Sequence, residues 1–469
     1  MKKRWLVFAL LLAPCLAAVG GAWYLQQQGV TPRALAPYVE RRSSGHNVLI
    51  EGVGAWTGAT LMQLDRGTPA PNLLQFPRIG AQPQGASQTG AERLVATSDE
   101  VRKAIADASP GDVITLLPGA YRFERASISV SRPGSAQANI VVRARKSGSV
   151  TLDFSLSEGF IVSAPYWRFE NLDIRGVCKV HAFCEHAFHV VGAATNFVSS
   201  NNTIVDFNAH FKINGERGRF PDHGRIEYNT LRNDSVRDTS NPVTPIDIVA
   251  ASHWTIRGNL ISDFIKGSGD HISYGAFAKG AGANNVFEQN VIVCEARLQG
   301  LPGQRVGLSL GGGGSGKDYC RDRKCITEQE QGVIRSNLIA SCSDDGIYLN
   351  NAAASKIVHN TLIDTGGMLV RFAASSADIE GNLVDGDIRS RDGGVLRLDD
   401  NRATPIALLY AGYHPVRRLF GAPQGLNFAW RDAAPRRAEA GSLTPDLCGV
   451  TRPGAPAYGA FEDIAACLK

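Results

Sequence analysis

The sequence feature that most constrains the fold is an internal repeat in which one asparagine stands between two short apolar stretches. Successive asparagines are separated by 31, 27, 30, 31, 47, 23 and 22 residues. Because such a repeat is too short for a strand–helix–strand unit and its apolar residues alternate with period two, each copy is expected to form one coil of a β-solenoid. Asparagines stacked at one corner would satisfy one another's amide groups. The repeated residues are Asn171, Asn202, Asn229, Asn259, Asn290, Asn337, Asn360 and Asn382.

The repeats predict an all-β protein, a parallel β-helix that occupies residues 91–390. A capping helix is expected at its N-terminal end, because Ser98, Asp99 and Glu100 supply an N-cap and an acidic first turn and Pro110-Gly111 stops the pattern. The longest gap predicts a loop insertion between Cys294 and Asn337. Residues 26–90 are rich in Gly, Pro and Gln and are interpreted as a spacer with one short strand at 48–50. Residues 391–469 are expected to form an extension that closes the stack.

The N-terminal 25 residues predict export. Lys2, Lys3 and Arg4 precede an apolar run from Trp5 to Leu25 that carries no charge. This order is typical of a signal peptide, and the run is also long enough to remain as a membrane anchor. Both readings place the body outside the cytoplasm, in the periplasm or the extracellular space, with an N-terminal membrane anchor as one alternative.

The cysteines agree with an oxidising compartment. Eight remain outside the N-terminal segment, an even number in which no C-x-x-C zinc spacing occurs, so disulfides are favoured over a metal site. Short loops favour three pairs, and the fourth follows by elimination. The expected pairs are Cys178–Cys184, Cys320–Cys325, Cys448–Cys467 and Cys294–Cys342.

The formal charge of +5 gives little support to a nucleic-acid partner, since it includes the three positive charges of the N-terminal segment. We expect no nucleic acid, a polysaccharide as the substrate and a monomeric chain.

The repeats, together with the closing segment from Thr444 to Glu462, resemble the pectate-lyase-like right-handed parallel β-helix proteins, over roughly residues 95–465. The resemblance implies a right-handed coil and a relative of the pectate, alginate and chondroitin lyases. It is specific for the fold and unspecific for the activity, because this architecture also carries epimerases, hydrolases and non-catalytic adhesins.

Aligning the second strand of each coil by its inward apolar pairs, from Phe188/Val190 to Met368/Val370, predicts which residues face solvent together. One outward column reads His189, Lys212, Asp247, Phe277, Ser309, Tyr348 and Leu369. The next column reads Val191, Asn214, Val249, Lys279, Gly311, Asn350 and Arg371. Rungs about 4.8 Å apart would make Lys212, Asp247 and Lys279 near neighbours.

Such a polar strip suits the β-elimination of a uronate, which needs a neutralised carboxylate, a stabilised enolate and a base for the proton α to the carboxylate. The candidate catalytic residues are Lys279, Lys212 and Asp247. The segment around Lys279 is similar to the coil of β-helix lyases whose lysine is the base. Candidate substrate-binding residues are Asn214, His189, His210, Tyr348, Asn350, Arg371 and Arg305.

The sequence departs from the lyase pattern at two places. Gly311 stands where the resemblance implies a catalytic arginine, for which Arg305 or Arg371 would have to substitute. Tyr274 and Ile272 stand where acidic calcium ligands are expected, so no cofactor or metal is assigned, although Ca²⁺ is the cation that the family uses. The alternatives to a lyase are a C5-epimerase on the same substrate class and a non-catalytic glycan-binding scaffold. In the last case Lys279 only keeps a sheet face soluble, and Lys212–Asp247 is an ordinary cross-strand salt bridge.

Overall fold

The computed structural model describes residues 20–21, 24–68, 76, 78–83, 85, 92–312, 315–438 and 444–468. Most of the predicted signal or anchor segment, with Cys15, therefore lies outside the described residues. Among the helices of the described part, none is long and apolar enough to cross a membrane.

Three long parallel sheets form the body, and each successive coil adds one strand to every sheet, as the repeat predicts. The first sheet comprises β1 (Glu92–Val95), β2 (Val113–Leu116), β5 (Ile140–Ala144), β8 (Trp167–Glu170), β11 (Val198–Ser200), β14 (Arg225–Glu227), β17 (Thr255–Arg257), β21 (Val286–Glu288), β25 (Val333–Arg335), β29 (Ser355–Val358), β32 (Ser376–Glu380) and β35 (Val395–Asp399). The second comprises β4 (Ile128–Val130), β7 (Glu158–Val162), β10 (His186–Val191), β13 (Ala209–Asn214), β16 (Ile246–Val249), β19 (Ile272–Lys279), β23 (Gln304–Gly311), β27 (Ile347–Asn350), β31 (Gly367–Arg371) and β34 (Asp387–Arg391). The third comprises β3 (Gly119–Phe123), β6 (Val150–Phe154), β9 (Asp173–Gly176), β12 (Thr203–Val205), β15 (Thr230–Arg232), β18 (Leu260–Ser262), β22 (Val291–Val293), β26 (Leu338–Ala340), β30 (Thr361–Ile363), β33 (Leu383–Val384) and β36 (Arg402–Ala403).

Smaller elements complete the described chain. The helices are α1 (Pro32–Ser43), α2 (Val48–Asp65), α3 (Ser98–Ala106) and α4 (Ile406–Tyr410). The remaining strands are β20 (Gly282–Ala283), β24 (Gln329–Glu330) and β28 (Ala352–Ala353), which form a short parallel sheet, and the antiparallel pair β37 (Phe420–Ala422) and β38 (Asn427–Trp430). Short 3₁₀ turns span His181–Phe183, Lys317–Tyr319, Arg417–Leu419, Pro423–Gly425 and Ile464–Cys467.

The interior of the coil is a stack of apolar side chains in register. Phe160, Phe188 and Phe211 belong to consecutive rungs of the second sheet, and their rings stack with centroids 5.0 and 5.3 Å apart. All three are fully buried, as are the other predicted inward pairs. Burial of apolar surface in every rung is the main stabilising contribution, and it requires neighbouring coils because one coil alone has no interior.

The asparagine ladder runs through the corner between the first and third sheets. From Asn202 onward, the side-chain oxygen of each ladder asparagine accepts a hydrogen bond from the residue at the same corner of the previous coil. For example, Asn259 Nδ2 donates to Asn290 Oδ1 at 3.0 Å. Two details differ from the prediction. The ladder continues one rung further, to Asn401, and Asn171 lies beside it, bonded to Asn201 at 2.6 Å. Asn171 and Asn201 share a left-handed backbone conformation, so the register of the first predicted repeat is shifted by one residue.

The capping helix is confirmed as α3, which packs Val101, Ala104 and Ile105 onto the first coil. Its N-cap is Thr97 rather than Ser98, because the Thr97 hydroxyl accepts from Glu100 N while the Glu100 carboxylate accepts from the Thr97 backbone. All four predicted disulfides are present. Four disulfides are typical of a chain that folds outside a reducing compartment.

Two predictions about the flanking segments are wrong. Val48–Ile50 does not form a strand but begins α2, where Asn47 caps the helix by accepting from Ile50 N at 3.0 Å. Residues 32–65 are thus a helical hairpin rather than a loose spacer.

The C-terminal segment packs along the third sheet, where Ala460 N donates to Thr361 Oγ1 at 2.8 Å. The strands of the stack extend to Ala403, beyond the expected boundary at residue 390.

Candidate functional site

The outer face of the second sheet carries the predicted columns in the predicted register. His189 pairs with Lys212, Lys212 with Asp247 and Asp247 with Phe277. Phe277 then pairs with Ser309, and Ser309 with Tyr348. In the second column Val249 pairs with Lys279, and Asn350 pairs with Arg371. The placement of these side chains on one flank follows from the two-residue period of strands that add rung by rung.

A histidine held by a carboxylate and an amide lies at the N-terminal end of this face. His189 Nδ1 is 2.6 Å from Glu158 Oε1, and Nε2 is 2.8 Å from Asn214 Oδ1. Burial alone would lower the pKa of His189, but these two hydrogen bonds together raise it. The hydrogen bond from His189 lowers the pKa of Glu158. Both ring nitrogens face acceptors, an arrangement that favours the imidazolium form of His189 beside the Glu158 carboxylate.

His186 lies next to this pair, but its pKa is shifted in the opposite direction. Its ring centroid is 5.3 Å from that of His189. Burial, with the neighbouring positive charge of His189, lowers the pKa of His186 to about 3, so it is neutral at ordinary pH. Sequence reasoning missed Glu158 and His186. The outward column reaches Ile161 on the preceding rung, whereas Glu158 is in register with His186, so the columns gave no signal for either residue.

One rung further, Lys212 and Asp247 form an ion pair. Lys212 Nζ donates to Asp247 Oδ2 at 2.7 Å, and Asp247 is only 4% exposed. The other carboxylate oxygen, Asp247 Oδ1, is buried without a hydrogen-bond partner among the described residues. Buried acceptors of this kind are rare, and this one is left for a ligand or for water. Asn350 Oδ1, further along the same face, is in the same situation.

Lys279 belongs to the second column and does not touch the Lys212–Asp247 pair. Its Nζ lies 4.6 Å from the centroid of the Phe277 ring, and no ion pair of Lys279 is found among the described residues. The stem of the side chain runs over Gly312, where an added Cβ would meet Lys279 Cδ at 2.6 Å. Lys279 is therefore a partly exposed cation supported by an aromatic ring and a bare backbone.

The backbone geometry explains why no arginine follows Lys279 on the next rung. Gly311 has a φ of +70°, and a Cβ at this position would lie 1.9 Å from the carbonyl oxygen of Asn350. No side chain fits between these two rungs. The absence of the arginine that the family resemblance implies is thus built into the stacking.

Two predicted binding residues do not face the solvent. His210 is fully buried, with Nε2 3.1 Å from the carbonyl oxygen of Arg232, and burial lowers its pKa to about 3. Arg305 is 1% exposed, and its Nε donates to Glu295 at 2.9 Å. Neither can contact a substrate on this face as predicted, because Arg305 is enclosed by its own loop and His210 lies at the corner between the third and second sheets.

The remaining predicted residues lie at the C-terminal end of the face. Tyr348 is partly exposed, and its hydroxyl accepts from Asn350 Nδ2 at 3.0 Å. Arg371 donates to Asp392 at 2.6 Å and is about one-third exposed. Tyr274, which sequence reasoning noted only as an absent calcium ligand, packs edge-on against Phe277 at 5.5 Å. Burial raises the pKa of Tyr274 to about 12, so it stays a neutral phenol.

An acidic pair borders this end. Burial and the adjacent charge of Asp345 raise the pKa of Asp344 to about 7, while Asp345 is bonded to Arg389 at 2.6 Å. No cluster of three or more His, Cys, Asp or Glu side chains able to hold a metal ion occurs in the part of the chain that the structure describes. The two positions where the family resemblance implies acidic calcium ligands hold Ile272 and Tyr274, whose side chains carry no carboxylate.

A groove of about 760 Å³ opens beside the N-terminal end of the face, on the side of the third sheet, where Arg122 and Asp153 line it. It begins at Leu156 and Ser157, directly before Glu158, and the disulfide-linked loop with Lys179 and Phe183 forms its outer wall. Phe183 is 64% exposed. An open groove with a cation and an exposed ring has the composition of a sugar-binding surface.

Comparison with solved structures agrees with this architecture. The pectate lyase Pel9A matches with a TM-score of 0.53 at 16% identity, over 77% of this chain and 90% of that one. The fold is that of the pectate-lyase-like right-handed parallel β-helix. Other matches are a rhamnogalacturonan lyase (TM-score 0.44, 12% identity, 66% and 87% of the two chains) and an alginate lyase from Paenibacillus sp. str. FPU-7 (0.34, 14%, 67% and 99%). No family profile and no curated protein matches the sequence. The match with Pel9A at 16% identity shows a shared fold alone, so the activity has to be argued from the site.

Proposed function

We propose that the protein is an exported polysaccharide lyase that cleaves an acidic, uronate-containing glycan by β-elimination on the outer face of the second sheet. The observation that carries the proposal is the run of cations and amides on consecutive rungs of one rigid face, beside a buried carboxylate oxygen that has no partner among the described residues. Cations and amides at fixed spacing are what an acidic polymer requires. The pectate-lyase-like fold supports the same substrate class by analogy.

Lys279 is assigned as the base. Its amine forms no ion pair among the described residues, whereas Lys212 is bound to Asp247, so Lys279 is the lysine of this face that is open to a substrate. In the reaction the neutral amine of Lys279 takes the proton at C5, the C4–O4 bond breaks, and a C4=C5 double bond forms. O4 leaves as a hydroxyl after it receives a proton from the Lys279 ammonium, directly or through water.

The other cations are assigned to binding. Lys212 and Lys279 lie two rungs apart, roughly 10 Å, so they would contact neighbouring sugar units rather than one carboxylate. Lys212 would pair with one uronate carboxylate while Asp247 Oδ1 accepts a sugar hydroxyl. His189, kept protonated by Glu158, and Asn214 would hold the next unit towards the groove beside Phe183.

The test is a panel of uronate polymers incubated with the purified chain while the ultraviolet absorbance of unsaturated uronate is followed. Lys279→Ala should lower kcat about 10²–10⁴-fold, the usual contribution of a general base. Lys356→Ala is the matched control, because Lys356 is an exposed lysine on the first sheet. Full activity of Lys279→Ala, or no unsaturated product on any polymer, would contradict the assignment. Deuterium uptake from solvent without chain cleavage would identify a C5-epimerase instead.

Export is part of the proposal and rests on the charged and apolar start of the sequence and on the four disulfides. Fractionation of cells that express the chain should find it in the periplasm, the membrane or the medium. Its mobility on a denaturing gel should change when thiols are added. Recovery in the cytoplasm with all cysteines reduced would contradict export.

A further inference from the structure

The helical hairpin of α1 and α2 ends in an apolar tip that nothing in the described chain covers. Five large apolar side chains occupy the first turns of α2, and their exposed fractions lie between 45 and 84%. They are Val48, Leu49, Ile50, Val53 and Trp56. A contiguous exposed cluster of this kind marks an interaction surface, whereas single exposed apolar residues are ordinary.

The inside of the same hairpin is built from small and polar residues. Gly54 lies directly against Ser43, whose Oγ would be 1.7 Å from an added Cβ, and Gly58 lies against Glu40, with 2.2 Å to Oε1. The helices therefore approach closely at two glycines four residues apart, and the large apolar side chains point outward. A hairpin in water has the opposite arrangement, with its apolar stripe between the helices. Small residues inside and large apolar residues outside are typical of helices that pack within lipid.

The hairpin is fixed to the β-helix at its other end. Arg33 is bonded to Asp65 and donates to the carbonyl oxygen of Cys342 at 2.6 Å. Arg66 is paired with Asp364 at 2.9 Å and with Glu295 at 3.2 Å. These groups are buried or nearly so. Because these contacts fix the hairpin to the β-helix, the tip cannot bury its apolar side chains by folding back onto the coil.

The size of the tip fits a membrane surface rather than a span. The segment from Val48 to Trp56 is about 12 Å long at the rise of an α-helix, close to the ~5–10 Å depth of the bilayer interface and far short of the ~30 Å hydrocarbon core. Arg41 and Arg42, in the last turn of α1, are exposed beside the tip and able to contact lipid phosphates. The apolar run up to Leu25 precedes this hairpin in the sequence.

We propose that the α1–α2 tip inserts into the interfacial layer of a phospholipid bilayer and so holds the β-helix against a membrane. The proposal is independent of the catalytic assignment, because no residue of the second-sheet face takes part in it. It also holds for either fate of the N-terminal segment. A retained anchor and an inserted tip would give the body two attachment points and a fixed orientation.

The test reconstitutes the full chain with vesicles of phosphatidylcholine and phosphatidylglycerol, prepared with ordinary or brominated acyl chains. The fluorescence of Trp56 is isolated as the difference between the unchanged chain and Trp56→Phe. Brominated lipid should quench this difference signal at least ~2-fold. The double substitution Val48→Ser/Leu49→Ser should abolish that quenching, because it removes the two most exposed apolar side chains.

Leu398→Ser is the matched control, since Leu398 is 56% exposed on the β-helix, and it should leave the quenching unchanged. Unchanged circular dichroism would show that each variant is folded, as expected for exposed positions. Equal Trp56 fluorescence in brominated and ordinary lipid would overturn the proposal. So would a stable dimer in light scattering with Trp56 shielded from a soluble quencher, which would assign the tip to a second copy of the chain.

Discussion

Asn290 is the position at which the asparagine ladder makes its clearest energetic prediction. Its Oδ1 accepts from both the backbone N and Nδ2 of Asn259, each at 3.0 Å. Its Nδ2 donates to the carbonyl oxygen of Ile256 and to Asn337 Oδ1, each at 2.9 Å. All four residues are fully buried, so water does not replace a lost partner.

Asn290→Ala removes these bonds and leaves the buried backbone N–H of Asn259 without an acceptor, whereas the carbonyl of Ile256 keeps its bond in the ladder between β17 and β21. A buried polar group left unpaired costs about 1–3 kcal/mol, so the free energy of unfolding should fall by about 1–3 kcal/mol. That is a sizeable share of the ~5–15 kcal/mol by which a domain is usually stable. The variant should unfold at a clearly lower urea concentration.

The matched control is Asn401→Ala at the exposed end of the ladder. Asn401 Oδ1 accepts from Asn382 N at 2.9 Å, but solvent reaches this rung and can take its place, so a loss below about 1 kcal/mol is expected. Urea unfolding followed by circular dichroism measures both variants. Hydrogen exchange at the amide of Asn259 reports the local effect, which matters because repeat arrays need not unfold in one step. Equal losses for the two variants, or a loss below about 1 kcal/mol at Asn290, would refute the argument that the ladder is satisfied rung by rung.

Three further predictions concern single sites. Glu158→Gln should lower the pKa of His189 in an NMR titration. Because the folded pKa of His189 is raised, the stability it contributes is present below the unfolded value of about 6.5 and is lost as the pH rises through the folded value, so the variant's deficit should shrink as the pH rises above about 6.5. Gly311→Ala should lower the melting temperature more than Gly218→Ala. Both glycines have a positive φ, but only at Gly311 would the added Cβ lie 1.9 Å from a backbone atom. Equal shifts in melting temperature would remove this explanation for the missing arginine. Replacing Cys294 and Cys342, whose disulfide closes a sequence separation of 48, should lower the free energy of unfolding in urea by about 4 kcal/mol. Replacing Cys320 and Cys325, separated by 5, should lower it by about 2 kcal/mol, because closing a shorter loop removes less entropy from the unfolded chain. The reverse order would contradict this argument.

The register of the stack could be predicted from the sequence because two independent constraints agree. The asparagines fix one corner of every coil, and the period of two then decides which neighbours face inward. Lys212 and Asp247 are 35 residues apart in the chain and still meet as predicted, because no strand can shift by one residue without burying its polar side chains.

The flanking helices could not be predicted in the same way. Gly54 and Gly58 made residues 26–90 resemble a flexible spacer, whereas in the folded chain they allow α1 and α2 to touch. Composition does not distinguish a glycine that permits flexibility from one that permits close approach, because both uses depend on the missing Cβ. The exposed apolar start of α2 likewise matched a strand by composition alone.

The two errors within the site have different physical causes. His210 is in register with Gly275 and Gly307, where an added Cβ would meet core side chains, so it lies at a corner of the coil where the alternation does not hold. Arg305 leaves the coil but is buried against Glu295 and the carbonyl groups of its own loop, because alternation along a strand does not decide what a side chain meets outside. Lys279 leaves the coil in the same way and remains partly exposed, because only Phe277 and the bare backbone at Gly312 support it. Accessibility of an outward residue is therefore set by inserted loops, which obey no period, so the chemistry of such a face has to be assigned from the folded chain even where its register is already known.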